Sequence, residues 1–580
     1  MTETLPAPPR APAGPRAALA ALSLSLFMIV VDVSIVAVAV PAMVSGLGAD
    51  LTSVVWVTSA YLLAHAVPML FTSRLGDRYG PRRVLVAGLA VFTAASLGSA
   101  LSAGVGMLIA ARAIQGLGAA LLTPQTLTLI THLYPGGERG RAMGVLGGVS
   151  GLATVAGPLL GGVLVDGLGW QGIFYVNVLV GSAALALSLR VIPDVRPGHT
   201  HRFDLPGILL SGTGLFLIVF AVQNGRTHRW GALIGPVTVT QTITAGLLLL
   251  AAFVLSQGRT RTEPLVPLAL FKDRGFSTGT LVTTVLGFAL TGMFLPLVVH
   301  LQSALTLTPT RAGLLTAPMA LVSGLMAPFA GRLSDRVSGR ILLAAGLAAM
   351  ASGLTLTALR TGSGTPAWQL LPGLLLTGLG MGLVLVPVNT VAMTSVPAEL
   401  RSTASGVFFT ARQLGSVLGS AAVGALVQAR IETRVTQETA TAAQQLPAPY
   451  RTDFAAGLRG AAETGQTGGT HLPLPPGLPG DLLPRAQDLA SHAMQTGLAR
   501  AAADALILVI AVLILGIPAT VGVPARRPRT PRTPKETART YESLRRPPRP
   551  AVAGFPDTDE PGNRDAVADR THGLGPDPGP

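Results

Sequence analysis

Two ionisable side chains stand within long apolar runs, where charge is costly and usually functional. Asp32 lies in "FMIVVDVSIVAVAVP" and Arg112 lies in "ARAIQGLGAA". Because an apolar medium favours the neutral carboxyl group, Asp32 could load a proton on one side of a membrane and release it on the other, or attract a cation. Arg112 stays charged and would act on a nearby carboxylate. The alternatives are a structural hydrogen bond for Asp32 and an interfacial position for Arg112.

Four more polar side chains in apolar runs are candidates for lining a polar cavity. His65 carries a ring that can titrate near neutral pH, although it could equally be a satisfied packing residue. Gln115 follows Arg112 by three residues, and Arg412 and Gln413 are adjacent in "TARQLGS". Gln115 is equally suited to a hydrogen bond between helices. These residues extend the candidate site beyond a single carboxylate.

Such side chains must be positioned by helices that cross a membrane. The chain has 580 residues, of which 49% are hydrophobic and 12% are charged, and its mean hydropathy is +0.55. A β-barrel would show short alternating strands instead of long runs. About fourteen apolar runs predict spanning helices at 17–42, 54–72, 84–103, 106–131, 141–164, 172–192, 206–223, 232–256, 275–301, 312–330, 341–359, 367–392, 403–428 and 501–523.

Basic residues fall mainly in every second connection between these runs. By the positive-inside rule, this pattern predicts a multi-pass protein of the inner (cytoplasmic) membrane with both termini in the cytoplasm. The same topology explains the net charge of +15, so nucleic acid is not an expected partner. The basic C-terminal tail could also contact anionic membrane lipid.

A short charged motif occurs twice in the chain, as "SRLGDRYGPRR" at 73–83 and "GRLSDRVSGR" at 331–340. Two later pairs repeat at nearly the same offset: "GLGAALLTPQT" with "GLGMGLVLVPVNT", and "ERGRAMGV" with "ELRSTASGV". Three ordered matches predict a parallel repeat of six helices, two inserted helices and six further helices. This is the construction of a transporter with two bundles and a substrate site between them.

The repeated motif is interpreted as a conformational latch at the cytoplasmic turn after the second helix of each bundle. Asp77 could bond to a neighbouring helix end, Gly80 would permit a tight turn, and Arg78 would hold the turn at the cytoplasmic surface. Asp335 and Arg336 are their counterparts in the second bundle. The alternative is that the arginines only fix the topology.

The predicted domain map has five parts. The segment at about 429–500 is interpreted as an external loop, either a partly helical or disordered insertion or, alternatively, a substrate lid. The parts are a cytoplasmic N-terminal tail at 1–16, a six-helix bundle at 17–192, two inserted helices with linkers at 193–274, a second six-helix bundle at 275–523 that includes this loop, and a disordered basic cytoplasmic tail at 524–580.

"GLATVAGPLLGG" places Gly157 and Pro158 inside the fifth helix, where proline removes one backbone hydrogen bond. Gly161 and Gly162 permit close approach of another helix. The sequence resembles the major facilitator superfamily, and within it the fourteen-span drug:proton antiporter family. "SRLGDRYGPRR" is similar to the loop between helices 2 and 3, and "VDVSIVAVAVP" and "ARAIQGLGAA" to the signatures of helices 1 and 4. The antiporter motif of helix 5 is matched at Gly144, Gly157, Pro158, Gly161 and Gly162.

The resemblance covers about 20–430 and 501–523, and it implies an all-α fold of two six-helix bundles plus two inserted helices. It also implies proton-coupled export of drugs or other amphipathic or cationic small molecules, which would confer resistance. The alternatives are a narrow exporter of one endogenous natural product or metabolite and, more weakly, a transporter-like sensor or scaffold. A monomer is expected to be functional.

The expected energy source is the proton gradient, without a cofactor. The sequence has no G-x-x-x-x-G-K-[ST] loop for nucleotide phosphates. It has no cysteine, its histidines are scattered, and no pairs of carboxylates stand where an enzyme would need them. The chain is therefore expected to be a transporter and not an enzyme, with no metal site.

Overall fold

The computed structural model describes residues 14–134, 138–194, 204–225, 228, 230–259, 265–362, 364–394, 396, 400–463, 474 and 478–523. This part of the chain is almost entirely helical. A short hairpin of β1 (Ala232–Ile234) and β2 (Val237–Thr238) precedes α9. The helices are α1 (Pro15–Leu47), α2 (Leu51–Ala66), α3 (Met69–Tyr79), α4 (Pro81–Ala100), α5 (Val105–Leu133), α6 (Glu138–Leu168), α7 (Gly172–Val191), α8 (Leu205–Asn224), α9 (Val239–Arg259), α10 (Arg274–Gly292), α11 (Phe294–Val298), α12 (Pro309–Arg336), α13 (Gly339–Leu359), α14 (Leu371–Met393), α15 (Arg401–Ala443), α16 (Arg451–Glu463) and α17 (Leu483–Gly516).

Within the described residues, twelve helices are long and apolar enough to cross a membrane. Two shorter apolar helices, Leu51–Ala66 and Ala156–Leu168, stand where the second and fifth spans were predicted. Each of the predicted apolar runs therefore consists mainly of helical residues, although length and composition alone mark twelve helices as spans. The chain is an all-α polytopic membrane protein.

The helices form two groups that meet along two seams. In the first group α1 packs on α6 and α7, and α5 packs on α2 and α4; in the second α10 packs on α15, and α14 packs on α12 and α13. The seams are the contacts of α2 with α15 and of α6 with α12. The inserted helices α8 and α9 pack closely at Gly214 and Gly246, where an added Cβ on either would meet the other's carbonyl oxygen.

The charged motif was predicted as a loop, and this prediction is wrong for most of its length. Residues 73–79 continue α3, and the turn is made at Gly80, which has φ +92°. In the second copy, 331–336 are the end of α12. Arginine and leucine are good helix formers, so polarity alone did not end the helix. The second span is also not one helix, because Pro68 separates α2 from α3.

The last two predicted spans are parts of longer helices. α15 has 43 residues and α17 has 34, whereas about 20 residues cross the hydrocarbon core. Both helices therefore continue well beyond the membrane, and the described parts of 429–500 are mainly helical. Phe454, Leu458 and Leu498 are fully buried there, in an apolar core that continues from the second group of helices.

Ion pairs join α15 to α17 beside this core. The Arg434 guanidinium donates to both carboxylate oxygens of Asp504 at 2.8 and 3.2 Å. The hydrogen bonds that Arg434 donates to Asp504 raise the pKa of Arg434 above its ordinary value. Arg500 forms a second pair with Glu438. The two helices are thus tied together beyond the membrane as well as within it.

Candidate functional site

Asp32, midway along α1, is fully buried and accepts hydrogen bonds from three side chains. Arg112 donates from Nη1 to Oδ2 at 2.7 Å. Gln115 and Asn177 donate from their side-chain amides to Oδ1, at 3.0 and 2.5 Å. Asp32, Arg112 and Gln115 are each 0% exposed. A cation and two amide donors thus surround one carboxylate in a dry interior.

Arg112 is held from several other directions. Its Nη1 also donates to Gln115 Oε1 at 2.7 Å, and its Nε donates to the carbonyl oxygen of Val57 at 3.3 Å. Its guanidinium carbon lies 4.2 Å from the centre of the Tyr61 ring and 5.8 Å from that of Phe174. Aromatic faces attract a desolvated cation. This fully buried position excludes the interfacial alternative for Arg112.

Helix periodicity explains why these side chains meet. Arg112 and Gln115 are three residues apart, so they lie on one face of α5. Gln115 Nε2 also donates to Ser96 Oγ on α4 at 2.8 Å. The network therefore ties α1, α4, α5 and α7 together. Within the described residues, Arg112 Nη2 and the Tyr61 hydroxyl have no hydrogen-bond partner.

Protonation of Asp32 can control how the helices of this network are held together. With Asp32 ionised, each charge in the pair compensates the other, as a buried pair requires. A proton on Asp32 would cancel one of the two charges and leave the other uncompensated. The helices that share the network would then have to rearrange or admit a new partner for Arg112.

His65 lies at the α2–α15 seam and connects the two groups of helices. Gln413 Nε2 is 3.0 Å from His65 Nδ1, and His65 Nε2 is 3.1 Å from Thr123 Oγ1. The Thr123 hydroxyl donates to the carbonyl oxygen of Ala119 at 2.9 Å, so it must accept from the imidazole. With the amide orientation assigned in this way, the hydrogen bonds select the neutral imidazole with its proton on Nε2.

Small polar residues extend the same seam toward the start of α2. Ser59 Oγ and Ser420 Oγ are 2.9 Å apart, and Gln428 donates to the hydroxyl of Thr52. Sequence analysis missed these residues. Their signal was spacing: Thr52 and Ser59 are seven residues apart, which is two helical turns, as are Gln413 and Ser420. Polar residues at this spacing lie on one face of a helix.

The glycines of "GLATVAGPLLGG" serve two different contacts. Gly157 and Gly161 lie against Ser34 and Ile35 of α1, where an added Cβ would collide with those residues. Gly162 instead faces the backbone of Pro309 at the start of α12. The motif therefore packs α6 against α1 in its own group and against α12 in the opposite group.

The α6–α12 seam is completed from the other side and by a carboxylate. Gly313 of α12 faces the carbonyl oxygen of Pro158. Asp166 near the end of α6 accepts from the Thr310 backbone N–H at 2.9 Å and from the Thr310 hydroxyl. These contacts lie near the ends of helices on the face that carries Gly48, here called the Gly48 face, and the contact of Thr52 with Gln428 lies toward the same face. The crevice between the two groups is thus closed at the Gly48 face.

Some predicted site residues are not brought into this network. The side chains of Asp77 and Asp335 are outside the described part of the structure, and Gly144 lies within α6. Arg78 is exposed at the opposite face, with its guanidinium carbon 5.5 Å from the Tyr79 ring centre, and Arg336 is also exposed. The latch therefore stays a prediction.

The remaining arginines of the first motif tie α4 to α7. Arg82 donates from Nη2 to the carbonyl oxygen of Leu189 at 2.7 Å. Arg83 pairs with Asp194 at 3.7 Å, in a partly exposed position. Such exposed pairs contribute little to stability, so their main effect is to position the turn.

Arg412 lies one residue before Gln413, but it does not take part in the His65 contact. Its backbone carbonyl lies against Gly287 of α10, and its side chain is half-buried. Among the described residues, there is no group of three or more His, Asp or Glu side chains that could hold a metal.

Comparisons with known proteins agree with this architecture. Residues 22–420 match the Major Facilitator Superfamily. The chain is 44% identical over 453 residues to an MFS-type transporter of Mycobacterium tuberculosis, with 77% of each chain covered. It is 34% identical over 426 residues to the tetracenomycin C resistance and export protein of Streptomyces glaucescens, covering 71% of this chain and 76% of that protein.

Among solved structures, the fold is similar to the crystal structure of a bacterial homologue of the human lysosomal transporter Spinster, in an inward-facing and unoccupied conformation. The TM-score is 0.57 at 16% sequence identity, and the match covers 89% of this chain and 99% of that one. At this identity, the similarity concerns the fold alone.

Proposed function

Because the chain belongs to the Major Facilitator Superfamily, we propose that it exports drugs or other amphipathic small molecules across the cytoplasmic membrane in exchange for protons. It is a transporter and not an enzyme. The relative in Streptomyces glaucescens, a resistance and export protein, supports the direction of transport. The observation that carries the proposal is the buried pair of Asp32 and Arg112, which Gln115 and Asn177 complete.

In this mechanism, Asp32 is the proton carrier. A proton binds one oxygen of its carboxylate, the ion pair with Arg112 is lost, and Arg112 keeps its contacts with Gln115 and the Val57 carbonyl. Since the network joins four helices of the first bundle, the change in charge favours a different packing of these helices. No cofactor is required, because each proton that crosses the membrane potential supplies about 2.3 kcal/mol per 100 mV.

The orientation follows from the basic connections, which assign the Gly80 face to the cytoplasm and the Gly48 face to the outside. Both termini are then cytoplasmic, and the closed seams at the Gly48 face form an external gate. The two inserted helices, α8 and α9, support membership of the fourteen-span drug:proton antiporters. A monomer contains both bundles and the complete Asp32 network, and lipid surrounds it.

The proposal is tested with the full chain in proteoliposomes that carry an imposed pH gradient. Ethidium is expected to move against its own gradient while protons move in the opposite direction, and a protonophore is expected to stop both. Ethidium movement that is insensitive to the protonophore would contradict proton coupling.

A second candidate is a narrow exporter of one natural product made by the same cell. The observation in its favour is the relative whose name specifies one compound, tetracenomycin C. A resistance profile in an efflux-deficient host separates the candidates, since a narrow exporter protects against one chemical family and a multidrug exporter protects against several.

The external gate makes a separate prediction. The chain contains no cysteine, so Ser59→Cys together with Ser420→Cys introduces one unique pair at positions whose hydroxyl oxygens are 2.9 Å apart. Mild oxidation is expected to form a disulfide that holds the α2–α15 seam closed and reduces export to background, and a reductant is expected to restore export. Each single variant is the control and should export with or without oxidant. Full export by the cross-linked protein would contradict the gate.

A further inference from the structure

Arg412 is a cation deep in a spanning helix, and among the residues that the structure describes it has no compensating partner. It stands eleven residues after Arg401, where α15 begins, and at 1.5 Å per residue this places it about 16 Å along the helix. That is roughly half of a hydrocarbon core of about 30 Å. In the described part of the chain, no carboxylate and no hydrogen-bond acceptor is paired with its guanidinium. Arg112, at similar depth in α5, has Asp32.

The face of α15 that carries Arg412 is turned toward protein and not toward lipid. Phe408 and Ser416, one turn before and one turn after, share this face and are only 1% and 7% exposed. Ser416 donates to the carbonyl oxygen of Gly287 on α10 at 3.3 Å. Because its neighbours on the same face are buried, we assign the partial exposure of Arg412 to a space between helices and not to the lipid-facing surface. Snorkelling serves arginines near helix ends and does not apply at this depth.

The charge around this space is positive. His65 lies near Arg412 but adds no compensating charge, because its hydrogen bonds select the neutral imidazole. Asp32 is already paired with Arg112. A cationic molecule would therefore meet a like charge here, whereas an anion would compensate the uncompensated guanidinium.

We propose that Arg412 recognises a carboxylate or a similar planar anionic group on the transported molecule, with the Gln413 and His65 side chains beside it. This inference rests on the proposed export function and places acidic amphipathic molecules among its substrates. Guanidinium binds carboxylate through two parallel hydrogen bonds, which adds geometric selectivity to the charge. In this scheme Asp32 carries the proton and Arg412 binds the substrate.

The test measures equilibrium binding of radiolabelled cholate and of its uncharged methyl ester to the full-length protein in nanodiscs. The wild type is expected to bind cholate about tenfold more tightly than the ester, a difference of about 1.4 kcal/mol. Arg412→Gln is expected to remove this difference by weakening cholate alone, and Arg412→Lys, which keeps the charge without the planar fork, is expected to keep part of it. Arg259→Gln removes the same charge from an exposed position at the end of α9 and should change neither affinity.

Absence of cholate binding to the wild type, equal affinities for the acid and the ester, or unchanged discrimination in Arg412→Gln would each overturn the inference. Binding requires no proton gradient, so these results are independent of the ethidium assay. Proton-driven ethidium export without acid preference would remove the inference and leave the proposed function. Acid preference without proton-driven export would contradict the proposed function and leave the binding role of Arg412.

Discussion

Asp32→Asn is expected to reduce proton-driven export in proteoliposomes to background. The amide has nearly the shape of the carboxylic acid but cannot exchange a proton in the accessible pH range, so the step that couples proton entry to substrate exit is lost. Binding of substrate and its downhill exchange without a pH gradient should persist, since these steps need no proton. Export rates with and without the gradient, measured in the same vesicles, separate the two effects.

Asp50→Asn is the matched control for this change. Asp50 caps the start of α2 by accepting from the Ser53 backbone N–H at 3.2 Å, and asparagine caps a helix about as well as aspartate. This variant should keep proton-driven export. Full proton-coupled efflux by Asp32→Asn would refute the assignment of the proton to Asp32.

Arg112→Leu is expected to lower the free energy of unfolding by about 3–5 kcal/mol, because removal of one partner leaves a buried charge uncompensated. The remaining Asp32 carboxylate is 0% exposed and would retain only the amide donors of Gln115 and Asn177. Thermal unfolding of the detergent-solubilised protein, followed by tryptophan fluorescence, measures the loss.

The double variant Asp32→Asn with Arg112→Leu tests whether the uncompensated buried charge causes this loss of stability. It removes both charges, so it should unfold at a higher temperature than Arg112→Leu alone. A double variant no more stable than the single one would show that packing of the arginine against Tyr61 and Phe174 sets the stability, and not the charge.

Sequence alone could identify the members of the Asp32 network but not their pairing. Ionisable residues are rare in apolar runs, which marked Asp32 and Arg112, and helical spacing associated Gln115 with Arg112. The bond itself joins residues 80 positions apart, and no local pattern encodes which helices become neighbours. Nothing in the sequence of α7 indicates that Asn177 faces α1.

The errors in the predicted fold have a common cause, which is the use of polarity to end helices. The charged motif continues α3, and the polar segment after residue 428 continues α15. Both segments contain residues of good helix propensity, so a helix persists once the membrane is left behind. The seam residues Ser59 and Ser420 were missed for the opposite reason, because single serines in apolar helices usually bond to their own backbone.

The continuation of α15 beyond the Gly48 face gives this transporter a lever arm. At 1.5 Å per residue, its 43 residues form a rod about 64 Å long, and the pairing of Arg434 with Asp504 makes α17 move with it. The α2–α15 seam contacts α15 near its middle. A small tilt of α15 at the seam therefore becomes a larger displacement at the helix end beyond the Gly48 face. Spectroscopic labels near Gln437 would therefore report the alternation between states with greater amplitude than labels placed inside the membrane.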